Sequence, residues 1–131
     1  MPLQVELVSP ERILLSVDAS MVLARTIGGG DIAFLTGHAP FIGALDTWTV
    51  EITPVDGRPV LAAVHGGFIS INDNHVKILS DLAELADQVD VARAQAAADR
   101  AEAAIRVQDD AEAIAALSRA HARLRAAGAL V

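Results

Sequence analysis

Several kinds of side chain in this sequence can do chemistry, and each implies a different site. The histidines are His38, His65, His75 and His121. No two of them stand at i, i+4 on one helix and no HExxH pattern occurs, so no metal site is expected. Asp31 and His38 can be paired as the acid and base of a small hydrolase, but no nucleophile with an evident oxyanion loop accompanies them. His38 lies in the turn Thr36-Gly37-His38, where a hydrogen bond to the backbone is expected. Gly28-Gly29-Gly30 can be tested as a phosphate cradle. No Gly-Lys-Ser/Thr follows it, and no strand–loop–helix unit surrounds it. The chain has no cysteine, which removes disulfides and thiolate metal sites. What remains is cationic. Beyond Glu112 the charged residues are Arg119, Arg123 and Arg125, a rod suited to an acidic surface or an anion. Arginines near a helix C-terminus also complement the helix dipole, which needs no partner.

The rest of the chain must position these groups. Its 131 residues are 53% hydrophobic, enough for a core, and the formal net charge is −7. Residues 1–86 carry four basic and ten acidic groups, a balance of −6, against six and seven, a balance of −1, from 87 onward. Such acidity disfavours nucleic acid or anionic lipid as a partner. The first residues lack the basic-then-apolar pattern of a secretory signal, and no apolar run approaches ~20 residues, so no direct membrane insertion is expected.

From Leu3 to about Leu85 the pattern is β. Leu3, Val5 and Leu7 alternate with polar or outward positions, and Ser9-Pro10 turns the chain. Ile13–Val17 and Met21–Arg25 read as two strands, followed by Ile32–Leu35 and a second apolar run after Pro40. Trp48–Thr53 alternates again, and Pro54 stops it. Asp56-Gly57 marks a hairpin leading to Val60–His65. Phe68–Ile71, the turn Asp73-Asn74 and Val76–Leu79 complete the series. Short strands at this spacing predict an all-β N-terminal domain, an antiparallel β-sandwich or flattened barrel, over residues 1–86.

Composition shifts near Asp87. Alanine dominates, and glycine and proline are absent until Gly128, which predicts a C-terminal α-helical hairpin over 87–131. Its helices are expected at Asp90–Arg106 and Asp110–Ala127. Asp90 is the N-cap of the first, Asp109 with Glu112 forms a capping box for the second, and Gly128 is the stop. The expected seam is Val91, Ala94, Ala98, Ala101 and Ile105 against Ile114, Leu117, His121 and Leu124. An alanine seam buries few methylenes, at ~0.8 kcal/mol each, which suits an arm that detaches. The same small residues also simply permit close helix packing.

Three stretches carry a resemblance. Gly30-Asp31 and the strand leading to Gly37-His38-Ala39-Pro40 form the first. The second is His65-Gly66-Gly67-Phe68-Ile69-Ser70-Ile71 with Asp73-Asn74-His75-Val76-Lys77-Ile78-Leu79. The third is Asp81 to Glu84 with Val89-Asp90-Val91-Ala92-Arg93-Ala94. In this order they resemble the epsilon subunit of the bacterial F-type, rotary ATP synthase, over nearly the whole chain. The sequence departs from the family pattern at Thr36, usually proline, at Asp31, often glutamate, and in a shorter break between the helices.

The resemblance implies a non-catalytic central-stalk subunit of the rotor. Its β domain would sit beside the gamma subunit on the c-ring. Its hairpin would reach the catalytic alpha and beta subunits and inhibit ATP hydrolysis. It implies a peripheral place on the cytoplasmic face of the bacterial cell membrane. No cofactor is required, but ATP, with or without magnesium, is implied as a regulatory ligand. The nucleotide-binding positions carry over as Glu84, Val89, Asp90, Arg93, Ala94, Arg100, Arg119 and Arg123. Helical spacing allows this: Asp90, Arg93 and Arg100 share one stripe, and Arg119 and Arg123 are i, i+4 on the other helix. Converging guanidinium groups suit phosphate. The plainer reading is an N-cap and a solvated face. A free-standing nucleotide sensor of the same fold is the other functional reading.

Overall fold

The structure, a computed structural model, describes residues 2–129. Among these, the chain up to Leu85 forms nine strands, β1 (Leu3–Val8), β2 (Ile13–Thr26), β3 (Gly30–Leu35), β4 (Phe41–Ala44), β5 (Thr47–Pro54), β6 (Val60–His65), β7 (Phe68–Asn72), β8 (His75–Leu79) and β9 (Ala83–Leu85). A 3-10 turn (Ala86–Gln88) leads to α1 (Val91–Val107) and α2 (Ala111–Ala126).

The strands follow one hydrogen-bonded path, β4-β7-β8-β1-β2-β5-β6-β9, with β3 added on β2. Pairing is antiparallel except between β1 and β8, which run parallel with Val5 opposite Val76. The long β2 makes the path a sandwich. Its first half pairs with β1, and its second half lies between β3 and β5. Alternation then turns one set of side chains from each layer inward. Leu3, Val5, Leu7, Ile69, Ile71, Val76 and Ile78 meet Val22, Phe34, Val50, Ile52 and Val64 in a closed core. The expected all-β domain followed by a helical hairpin is what the chain forms.

Three details differ from the sequence reading. Ile13–Val17 and Met21–Arg25 belong to one strand, not two. Asp18 and Ser20, in the gap between the two expected strands, are both exposed on the outward face, while Ala19 between them is fully buried. The irregularity is only a register shift against β5 between Ala19 and Met21. Second, β9 was not expected; three residues are too few to show a period. Third, α2 is capped by Asp110, not Asp109. The Asp110 carboxylate accepts from the amides of Glu112 (3.0 Å) and Ala113 (3.3 Å).

The other ends are as expected. The Asp90 carboxylate accepts from the Arg93 amide at 3.0 Å. Gly128, at φ +77, follows α2 as the stop. The amide of Ala129 donates to Leu124 O (2.8 Å) and that of Gly128 to Arg125 O (3.0 Å), closing the last turn. Gly67 is a position that no other residue can fill. Its φ is +114, and a Cβ there would stand 2.0 Å from the Leu79 carbonyl oxygen.

The helical seam is narrower than expected. Ala94 and Ala98 pack on Ala120 and Leu124, with Ala97 and Leu117 at the margin. Val91 and Ile114 are exposed. The stripe of α2 that meets α1 runs through Leu117, Ala120 and Leu124, so that Ala120 stands where His121 was expected and Ile114 is left out. A second face of α2 carries Ala122 and Ala126 onto Ala63 and Leu61 of β6. Helix α2 therefore lies between the sheet and α1.

Candidate functional site

Where β9, the 3-10 turn and both helices meet, a pocket of about 350 Å³ opens, lined by Glu84, Gln88, Asp90, Arg93, Ala94, Ala97, Arg100 and Arg123. Each wall has a local cause. Glu84 opposes Ala63 in the β6–β9 pair, so its side chain leaves the sheet towards α2. The Gln88 Oε1 accepts from the Leu85 amide (2.9 Å), which folds the turn and aims the rest of the amide outward. Arg93, Ala97 and Arg100 follow Asp90 at helical steps along one wall. Arg123 comes from α2.

Charge is concentrated there. Arg123 Nε donates to Glu84 Oε1 at 2.5 Å. Among the described residues, neither Arg93 nor Arg100 has a carboxylate within salt-bridge distance; the ion pairs are Arg25–Asp31, His65–Glu84, Arg106–Glu102, Arg119–Glu112 and Arg123–Glu84. Two arginines on one wall thus face the pocket with their charge unspent, an arrangement suited to a phosphate-bearing anion.

Of the residues carried over from the resemblance, Glu84, Asp90, Arg93, Ala94, Arg100 and Arg123 are brought together. Val89 ends the 3-10 turn beside the pocket without lining it. Arg119 reaches along its own helix to Glu112 at 2.8 Å instead. Gln88 and Ala97 are lining residues that sequence reasoning missed. Ala97 was findable, since it stands four residues after Arg93 and three before Arg100 on the same stripe.

His65 was missed as well. It lies at the end of β6 on the face that α2 covers, its side chain 4% exposed and its Nε2 3.6 Å from Glu84 Oε1. Among the described residues, neither ring nitrogen has a hydrogen-bond partner. Burial first, and then the charge of Arg123, push its pKa down to about 4 against a partial lift from Glu84.

A second anchor holds the C-terminal end of α2. Arg125 Nε donates to Thr49 Oγ1 at 3.2 Å, and its guanidinium stands 5.3 Å from the Trp48 ring centre, with that of Arg25 at 4.3 Å. The Asp31–His38 pair does not form. Asp31 is held by Arg25 at 2.9 Å, and His38 Nδ1 is engaged with the Ala39 carbonyl at 2.7 Å, at opposite ends of β3.

Comparison with known proteins gives a consistent answer. Residues 2–86 match the family model "ATP synthase, Delta/Epsilon chain, beta-sandwich domain". The ATP synthase epsilon chain of Streptomyces avermitilis is 46% identical over 127 residues, 97% of this chain and 96% of that one. That of Thermobifida fusca is 43% identical over 128 residues, covering 95% and 91%. A chain in the mitochondrial ATP synthase structure of Euglena gracilis, titled as OSCP/F1/c-ring, superposes with a TM-score of 0.82 at 23% identity, covering 96% of this chain and 81% of that one. One in the Tetrahymena thermophila central stalk/c-ring structure reaches 0.57 at 18%, over 69% and 71%. These two likenesses concern the fold alone. With a matching β-sandwich and relatives aligned through the helices as well, this chain belongs to the ATP synthase delta/epsilon family, in its bacterial epsilon branch.

Proposed function

We propose that this chain is the epsilon-type central-stalk subunit of a bacterial proton-translocating ATP synthase, with no catalytic group of its own. It couples the catalytic head to the c-ring, sits peripherally on the cytoplasmic face of the membrane through the complex, and restrains ATP hydrolysis with α1 and α2. Near-full-length similarity to epsilon chains supports the assignment. No helix among the described residues is long and apolar enough to cross a membrane. The gamma subunit and c-ring are given the outer face of the β4–β7–β8 layer. There Ile42 (76% exposed) and Phe68 (58%), with Leu79, leave an apolar strip uncovered.

The observation that carries the regulatory part is how the hairpin is held. Its contacts with the sheet and within itself are mostly between alanines, supplemented by Arg123–Glu84 and Arg125–Thr49. Small buried areas give small stabilisation, so release towards the alpha and beta subunits costs little. In the docked form the pocket gathers Glu84, Asp90, Arg93, Ala94, Arg100 and Arg123 from three elements. ATP, with or without magnesium, would bind this form and not the open one, and so draw the arm towards the non-inhibiting position. Val89 would border the base, and Arg119 would join the phosphates by exchanging Glu112 for them.

Deleting residues 90–131 is expected to leave assembly intact and raise ATP hydrolysis by the assembled enzyme. Unchanged hydrolysis would remove the inhibitory role. Calorimetry with ATP on the full chain, with and without magnesium, tests the ligand.

A further inference from the structure

We infer that His65 is a proton-operated release for the hairpin: charging its ring loosens α2 from the sheet, so acid frees the arm. The inference rests on the detachable-arm reading above.

The geometry is unusual for a buried histidine. A neutral imidazole offers one donor and one acceptor, and a buried ring normally satisfies both. Here both nitrogens lie out of solvent without a partner among the described residues. Glu84 Oε1 is 3.6 Å from Nε2, and that oxygen already receives the Arg123 Nε–H. The ring is thus next to a carboxylate that α2 has taken from it.

The groups around it pull in different directions. Glu84 on β9 favours an imidazolium, whereas Arg123 and Arg119 on α2 oppose it. From β5 the opposing residue is the uncharged Thr47. Burial, the largest influence, also opposes the charge. Both arginines, and the share of the burial that α2 supplies, leave together when it departs. Glu84 stays, free to pair with a charged ring.

The sign follows. The histidine titrates near 4 with α2 docked, and at or above the ordinary ~6.5 once α2 has gone. The released form therefore binds more protons between these values. Docking is at full strength above pH ~6.5 and weakens as pH falls towards the docked value. With these two values the docking constant falls about 30-fold between pH 7.5 and 5.0.

The test uses the full chain. Trp48, the only tryptophan, reports docking because the Arg125 guanidinium lies against it. Its emission, the His65 ring resonance and the Ala63–Ala126 methyl contact are followed by fluorescence and NMR from pH 7.5 to 5.0. In the wild type the ring should gain its proton as the methyl contact is lost. His65→Gln keeps polar atoms but cannot be charged, and should stay docked throughout. If His65→Gln releases at the same pH as the wild type, or if the ring is protonated with α2 still docked, the inference is overturned. Should His65→Gln fail to fold, the wild-type ring and methyl signals decide alone. Ala126→Glu separates the two readings at pH 7.5. If it frees α2 from a folded sheet while the wild type ignores acid, only the proton coupling falls. If it melts the sheet, the detachable arm falls with it.

Discussion

Arg93 and Arg125 lie on the same hairpin in opposite settings. Arg93 faces the pocket without an ion-pair partner among the described residues, while Arg125 is committed to Thr49 and Trp48. Arg93→Ala is expected to weaken ATP binding by roughly ten- to a hundred-fold in a calorimetric titration, the value of a charge-assisted bond to phosphate. Arg93→Lys should restore only part, because the planar fork is lost. Arg106, exposed and only loosely paired with Glu102 at 3.9 Å, is the comparison position, and Arg106→Ala should bind as the wild type does. Arg125 would serve badly there, since removing it disturbs docking itself. Asp90, Arg93 and Arg100 were legible as one stripe because helical spacing aligns them, whereas Ala94 came with the resemblance. Glu84 and Arg123, 39 residues apart, were placed only by resemblance. His65 was invisible, because its neighbours come from a three-residue strand and a helix far along the chain.

Helix α2 works on two faces at once, and this sets what its alanines tolerate. Ala120 meets α1, whereas Ala122 is fully buried against the sheet. Ala122→Leu adds volume where Ala63 leaves no room, and overpacking of this kind costs about 1–3 kcal/mol. Amide exchange should rise throughout α2, with protection in β1, β5 and β8 unchanged. Equal loss of protection in the strands would mean that α2 is part of one cooperative unit. At this scale the sequence was informative where patterns are long. Strand alternation, the alanine run and the caps at Asp90 and Gly128 each state a local rule. It was uninformative where partners decide. The seam took Ala120 in place of His121 and left Ile114 exposed because a stripe made mostly of alanine fixes the rotation of a helix only weakly. β2 continued through Asp18 and Ser20 because a sheet accepts polar residues on its open face.

For the molecule as a whole, the division of the core is the informative feature. Among the described residues, the main apolar cluster draws on positions between Leu3 and Leu85, and two small separate clusters involve the helices. We propose that residues 1–86 fold alone. A chain ending at Ala86 should unfold cooperatively in denaturant and still bind gamma; a molten or insoluble product would show that the helices complete the sandwich. The parallel pairing of β1 with β8 adds an order to this. As the chain leaves the ribosome, β1 can find β2 at once, but its other edge stays open until His75–Leu79 has been made. Non-local pairing of this kind comes late and sets the pace of folding. Both partners of this pairing precede α1 and α2 in the chain, so the sandwich can close without either helix. An arm that is the last part to arrive is also one whose departure need not undo anything built before it.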